Sequence, residues 1–441
     1  MARAVMGSNH LALSTAFPDH DDAGQLAASL KTSGGTTVPD IRAADCIVCM
    51  GTNVLDSHPI LGLEILHARK TRDVCLIGVD TRHTRLAREA DVWLQPRIAT
   101  DHVLLAGLRQ ALIDTGAIAH QPGSPDLDEV AAITGVARAD IVQAAHLLAQ
   151  HLAASRRDGQ PTSVLLIYGS GVTHHPSAVQ TVAAIHDLAT LVNQTFGAGR
   201  LGILQVAGEA NFVGAHDLGL HPALLPGYRP LSDPEARARF ETAWGTSLNP
   251  KPGLSYPAIL EGVRTGRIRA LYLAGEAPPL PELADLDFLV VQDIVTTPAM
   301  PHAHVVLPAT TFAEMDGSLT NLEGRVQRLR QAIAPLGASR PGWMIARDLA
   351  RCMGDTTWDY QTAADVMHEI ATLVPAYAEV TDQDLDGQGL LRRFAPEAQP
   401  THPPAPLKWQ DVPHFASQRF PLTLITERNL FHYHGACLTQ Q

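Results

Sequence analysis

Positive charge is in short supply in this chain of 441 residues. Thirty-three Lys and Arg stand against 45 Asp and Glu, a formal charge of −12. Gripping a phosphate backbone requires a basic face, so no nucleic-acid partner is expected. Long apolar runs are also missing. No stretch approaches the roughly 18 residues a membrane helix needs, so no membrane span is expected. The opening MARAVMGSNHLALSTAF has no basic segment followed by a long apolar one, so no signal peptide is read. The expected location is cytoplasmic, or the cytoplasmic face of a membrane complex. Cysteine is sparse: Cys46, Cys49, Cys75, Cys352 and Cys437 are too few and too scattered for a disulfide scaffold. They also lack the four clustered thiolates of an iron–sulfur site, so no such cluster is expected in this chain.

Cys46 and Cys49 do form a C-x-x-C, but within the apolar run ADCIVCMG. In a strand, residues three apart point to opposite faces. Small core residues are therefore the favoured reading over a redox or zinc pair. The remaining composition, 45% hydrophobic and 18% charged, suits a soluble α/β protein of two or three domains.

Short apolar runs ending in Gly or Asp alternate with helical patterns, the signature of βαβ units. The first set comprises strands at 46–51, 74–80, 92–95 and 164–169, with helices near 58–70, 101–114, 126–155 and 177–191. These four strands are expected to share one doubly wound sheet. Residues 197–230, rich in Gly, Pro, Asn and His, read as a long loop. A second set follows, with a helix near 254–265 and strands at 268–275, 288–293 and 304–309. The expected fold class is α/β: two doubly wound, mostly parallel-sheet domains, a linker, and the start of a truncated β-rich domain. The boundaries read as 1–205, 206–355, a helical and proline-rich linker at 356–414, and an incomplete C-terminal domain at 415–441 with a strand at 420–428.

Ligands of doubly wound sheets bind beyond the carboxyl ends of the strands. There the chain carries GTNVLDSHP (51–59), DTRHTR (80–85), RIATD (97–101) and YGSGVTHH (168–175). Each alone reads equally well as turn chemistry. Jointly they suggest a dinucleotide site. In DGSLTNLEGRVQ (316–327), Asp316–Gly317 suggests a turn. Asn321, Glu323 and Arg325 suggest a hydrogen-bonded network fixing a loop near the cofactor, the plainer alternative being an ordinary Glu323–Arg325 ion pair.

The ordered series MGTN…DSHP, VDTRHTRLAREADVWLQ, ATDHVLLAGL, YGSGVTHH, LPGYRPLSDPEARARFETAWG and VVLPATTFAEMDGSLTNLEGRVQ resembles the molybdopterin oxidoreductase family. Formate dehydrogenase alpha subunits are similar, as is the G-type subunit of NADH-quinone oxidoreductase. The resemblance implies molybdopterin guanine dinucleotide with Mo or W, held by two α/β domains. By resemblance, Asn53, Asp80, Arg82 and Asp101, with Gly51 beside them, would line one dinucleotide. Gly169, Gly171, His175, Gly275, Glu276 and Asp293 would line the other.

The chain departs from that pattern. Residues 9–24, which match the region carrying the metal-ligating cysteine or selenocysteine of formate dehydrogenases, hold no cysteine. In VAGEANFVGAHD (206–217), Ala207 stands where the substrate-orienting arginine is expected, and alanine has no charge to clamp an anion. The catalytic residues are thus unassigned and no residue is assigned as a metal ligand. His174, His175 and His216 read as loop histidines rather than ligands, and His432 and His434 as contacts to cofactor phosphate. The implied function is a formate dehydrogenase-like subunit carrying out two-electron chemistry with iron–sulfur and NAD- or quinone-linked redox partners. The alternative is a non-catalytic structural subunit of NADH-quinone oxidoreductase with a degenerate cofactor site.

Overall fold

The computed structural model describes residues 1–14, 36–119, 125–155, 159, 162–175, 177–276, 278–394, 419 and 422–425. Residues 395–414 of the proposed 356–414 linker, His432, His434 and Cys437 lie outside the described residues, as does most of the 420–428 strand. The described chain divides into two compact units: residues 36–209 with 419 and 422–425, and residues 1–14 with 210–394.

The first unit is built on five parallel strands: β1 (Cys46–Met50), β2 (Cys75–Val79), β3 (Val92–Leu94), β4 (Val164–Tyr168) and β5 (Leu201–Gln205). Their spatial order is β3-β2-β1-β4-β5. Every residue of β1, β2 and β4 is buried, which is why these strands appear as unbroken apolar runs rather than alternating ones. The principal helices are α1 (Pro59–Arg72), α2 (Asp101–Asp114), α3 (Arg138–Ala153) and α4 (Ala178–Phe196). Pro59 opens α1, and Arg69, Lys70 and Arg72 lie in its last turn, where the helix dipole favours cations. The chain moves outward from β1 to β3, then returns to place β4 on the other side of β1. That reversal creates the switch point at which doubly wound sheets bind ligands.

One expectation needs correction. The stretch 197–230 is not a continuous loop: it contains β5, paired with β4 over five residues, and a helix over Phe212–Asp217. Ile203 is the single β-branched residue of β5, and Gly197, Gly199, Gly202 and Gly208 surround it. Local propensity therefore favours a loop, and pairing to a buried strand overrides it.

The second unit holds a short antiparallel pair, β6 (Leu224–Leu225) with β7 (Arg229–Pro230), and a parallel sheet of β8 (Ala270–Ala274), β9 (Phe288–Asp293) and β10 (Val305–Pro308). Helix α5 (Tyr256–Arg264) precedes β8, its first turn capped by the Ser255 hydroxyl. Val263, Leu273, Leu283, Leu289 and Val291 form the core of this part. An antiparallel sheet of β11 (Gly317–Thr320), β12 (Arg325–Leu329) and β13 (Leu390–Leu391) completes the unit. Asp316–Gly317 leads into β11 instead of turning. The turn lies at Gly324, with φ +78°. Residues 1–14 belong to this unit because the Arg3 guanidinium donates to the carbonyls of Gly219 and Leu224, each at 2.9 Å, and to that of His221.

A buried ion pair organises the same unit. Asp217, fully buried, accepts from Tyr228 Oη at 2.6 Å, Tyr377 Oη at 2.7 Å and Arg392 Nε. Burial pushes the Asp217 carboxyl up, while Arg392 and the two phenols oppose that shift.

Candidate functional site

The polar residues of the first unit gather at the carboxyl ends of its strands. Leaving β1, Gly51 adopts φ +56°, and a Cβ there would lie 2.8 Å from Val172 N. Gly171 N donates to Gly51 O at 2.9 Å, and a Cβ on Gly171 would meet that oxygen at 2.7 Å. A Cβ on Gly169 would similarly strike Thr52. These three glycines therefore let the turns after β1 and β4 touch, backbone against backbone, at the switch point.

Asn53 follows at once. It is 8% exposed, its amide donates to Asp56, and its Oδ1 is buried with no partner. His58 bridges strand ends, with Nδ1 2.9 Å from Ser57 Oγ and Nε2 2.7 Å from the carbonyl of Ala207. After β2, the Asp80 carboxylate accepts from Arg82 N at 2.8 Å, with Arg82 Nε 3.8 Å away. Trp93 Nε1 donates to the Asp80 carbonyl, and His83 stacks on Trp93.

The densest group lies after β3 and β4. Asp101 opens α2, and its carboxylate is 3.8 Å from His175 Nε2. Burial, reinforced by the nearby Asp80 charge, pushes the Asp101 carboxyl up to about 7. Ser177 N donates to His175 Nδ1 at 3.0 Å, so the neutral imidazole carries its proton on Nε2. That Nε2 is buried without a hydrogen-bond acceptor. Desolvation, with smaller contributions from His102 and His174, lowers His175 to about 4. His102, 1% exposed, has no partner on either ring nitrogen and is likewise lowered to about 4 by burial. Such orphaned groups are uncommon in a folded interior and cost about 1–3 kcal/mol each.

The resemblance assigned Gly169, Gly171 and His175 to a different dinucleotide from Asn53, Asp80, Arg82 and Asp101. The structure places all seven on one sheet edge. The other three lie in the second unit. Gly275, φ +67°, faces open space after β8, and Glu276 accepts from Ser14 Oγ at 2.7 Å. Asp293 ends β9, its carboxylate accepting from Ile294 N at 2.7 Å. Thr297 and Thr310, beyond β9 and β10, have buried hydroxyls without partners.

Sequence reading missed His102 and His58. The signal for His102 was an imidazole in the first turn of the otherwise apolar helix HVLLAGL. The Asn321 network does form: Asn321 Oδ1 accepts from Glu323 N at 3.0 Å and Arg325 N at 2.9 Å, with Glu323 and Arg325 3.4 Å apart. It fixes the β11–β12 turn. A cleft of about 640 Å³ near Trp343 includes Arg328, Arg340 and Arg347, but each is paired with Asp386 or Asp348. Its cations are already neutralised, and none of the strand-end residues lines it.

Among the described residues, no helix is long and apolar enough to cross a membrane. The chain is 33% identical to YrhE of Bacillus subtilis, named for a formate dehydrogenase, over 90% of this chain and 41% of YrhE. It is 30% identical to the F420-dependent formate dehydrogenase subunit alpha of Methanocaldococcus jannaschii, over 93% of this chain and 65% of that one. The chain thus spans between two-fifths and two-thirds of the length of these relatives. Acetylene hydratase from Pelobacter acetylenicus shares the fold, with a TM-score of 0.54 at 19% identity, covering 78% of this chain and 52% of that one. The profile of molybdopterin oxidoreductases matches residues 3–352, and the chain belongs to that family.

Proposed function

We propose that this chain is the pterin guanine dinucleotide-holding part of a formate dehydrogenase-like oxidoreductase. The carrying observation is the set of buried, unsatisfied polar groups at one sheet edge: Asn53 Oδ1, both nitrogens of His102, and His175 Nε2, beside the Asp101 carboxyl. A ligand with both donors and acceptors would relieve their desolvation cost. Asp101 would accept from the ring N–H and amino group of a guanine, a role for which its ionised form is needed. His175 would donate through Nε2, Asn53 would accept through Oδ1, and Arg82 would meet phosphate. In the second unit, Gly275 offers its backbone to open space, and Glu276, Asp293, Thr297 and Thr310 supply polar groups at the strand ends.

Family membership implies a molybdopterin with Mo or W. When bound, that centre accepts the two electrons removed from a small, formate-like substrate. This chain's own residues hold the nucleotide and exclude water from its base. They provide neither a cysteine in residues 9–24 nor a charge at Ala207. The proposed partner chain supplies the iron–sulfur clusters and the metal ligand, with NAD- or quinone-linked subunits as acceptors.

Elemental analysis of the native complex, together with fluorescence of the oxidised released pterin and identification of released guanosine monophosphate, tests this reading. Stoichiometric Mo or W with pterin and guanine nucleotide is expected. Absence of metal and pterin from the intact complex would overturn it in favour of a structural scaffold.

A further inference from the structure

The opposite rim of the five-stranded sheet carries a group of side chains that cofactor binding does not use. Cys46 is the first residue of β1 and Cys75 the first of β2, and the two are register partners in adjacent parallel strands. Register partners project to the same face, with backbones about 4.8 Å apart. That spacing falls within the Cα separations of about 4.4–6.8 Å that disulfides span. Cys46 is fully buried and Cys75 is 7% exposed, and both are free thiols.

Cys75 lies against both the Cys46 thiol and His151, in the last turn of α3. Hydrogen bonding from Cys46, then from His151, brings the Cys75 thiol down to about 6 although burial opposes the shift. His151 is raised, chiefly by the same contact, and Cys46 is pushed up as the thiol that donates. The surrounding charges are paired: Arg69 with Asp91 at 2.7 Å, and Arg72 with Asp45 at 3.8 Å. Cys49, on the opposite face of β1, has no such neighbours, and burial alone pushes it up to about 12.

We infer that Cys46 and Cys75 form a reversible dithiol–disulfide pair, oxidised by hydroperoxides, that fastens β1 to β2 at the rim away from the cofactor residues. The Cys75 thiolate attacks the terminal oxygen of the hydroperoxide. An S–O bond forms, the O–O bond breaks, and the leaving alkoxide takes a proton from the His151 imidazolium. Cys46 then passes its proton to His151 and attacks the Cys75 sulfenic sulfur. The S–S bond forms as the S–O bond breaks, and hydroxide leaves as water with the proton from His151. The two thiols lose two electrons, and the hydroperoxide is reduced to an alcohol and water.

The test treats the folded chain with a small excess of hydrogen peroxide at neutral pH, alkylates residual thiols, and maps peptides by mass spectrometry without reductant. The Cys46 and Cys75 peptides should be joined, and dithiothreitol should separate them. Cys49 should alkylate only after unfolding. In Cys46→Ser, Cys75 should accumulate as a sulfenic acid trapped by dimedone. Alkylation of Cys75 in the unmodified chain should be half-maximal near pH 6, and His151→Gln should move that midpoint upward. An ordinary midpoint of about 8.5, or peroxide treatment that leaves Cys46 and Cys75 unlinked, would overturn the inference.

Discussion

Asp101 and Asp217 are both carboxylates withdrawn from water, and the protein treats them in opposite ways. Asp217 receives Arg392 and two tyrosine hydroxyls, and its backbone carbonyl accepts from Gly227 at 2.7 Å. Asp101 has its own backbone N–H, one imidazole at 3.8 Å, and orphaned nitrogens nearby. A buried charge that is fully partnered ties elements together. Asp101, with no cation or hydroxyl to oppose its burial, carries a desolvation cost that folding alone does not recover, so it points to something that binds.

Substitutions can break this contrast, and the largest effect belongs to Asp217. Asp217→Ala strands Arg392 in the interior and should cost about 3–5 kcal/mol, read as a lower urea midpoint for unfolding of the second unit. Asp101→Asn should act in the other direction on stability. A raised carboxyl pKa favours the folded state at low pH, and that advantage is lost as pH climbs from 3.8 toward about 7. Above that window, the cofactor-free Asn variant should therefore be the more stable chain. Its retention of pterin should nevertheless fall roughly tenfold or more, since a charge-assisted hydrogen bond contributes about 1.5–3 kcal/mol. Stability loss in Asp101→Asn at pH 8 would show that Asp101 resembles Asp217 after all.

His102 sharpens the comparison through pH. Its folded pKa of about 4 lies below the ordinary 6.5, so stability falls as pH drops through that interval. At pH 5 the loss attributable to this side chain is about 2 kcal/mol. His102→Leu should flatten that part of the pH–stability curve, as followed by circular dichroism during chemical unfolding. The smallest effect is expected at Gly275. With φ +67° and open surroundings, Gly275→Ala meets backbone strain alone and should cost about 1 kcal/mol. A much larger loss would mean that the position is packed in the native complex.

The three central strands were readable because a parallel sheet covered on both sides demands continuous apolar runs. Gly51, Asn53 and Asp80 were readable because each follows such a run, and Asp101 because it opens the helix after the shorter run of β3. Strand β5 was not: a glycine and one β-branched residue cannot announce an edge strand whose partner lies more than thirty residues earlier. The orphaned state of His102 and the pairing of Cys46 with Cys75 depend on register and burial, which spacing along the chain does not encode. Of the candidate site, then, the sequence revealed which residues stand at strand ends, whereas the structure revealed which of them lack partners.

The contact between Gly51 and Gly171 bears on how such a protein can diversify. The turns flanking the switch point are spaced by peptide backbone, with no side chain between them to shrink or swell. The distance between the two turns is therefore fixed by backbone alone. Residues beside that contact, such as Asn53, can be exchanged to alter what is held, while the spacing of the two turns stays as it is.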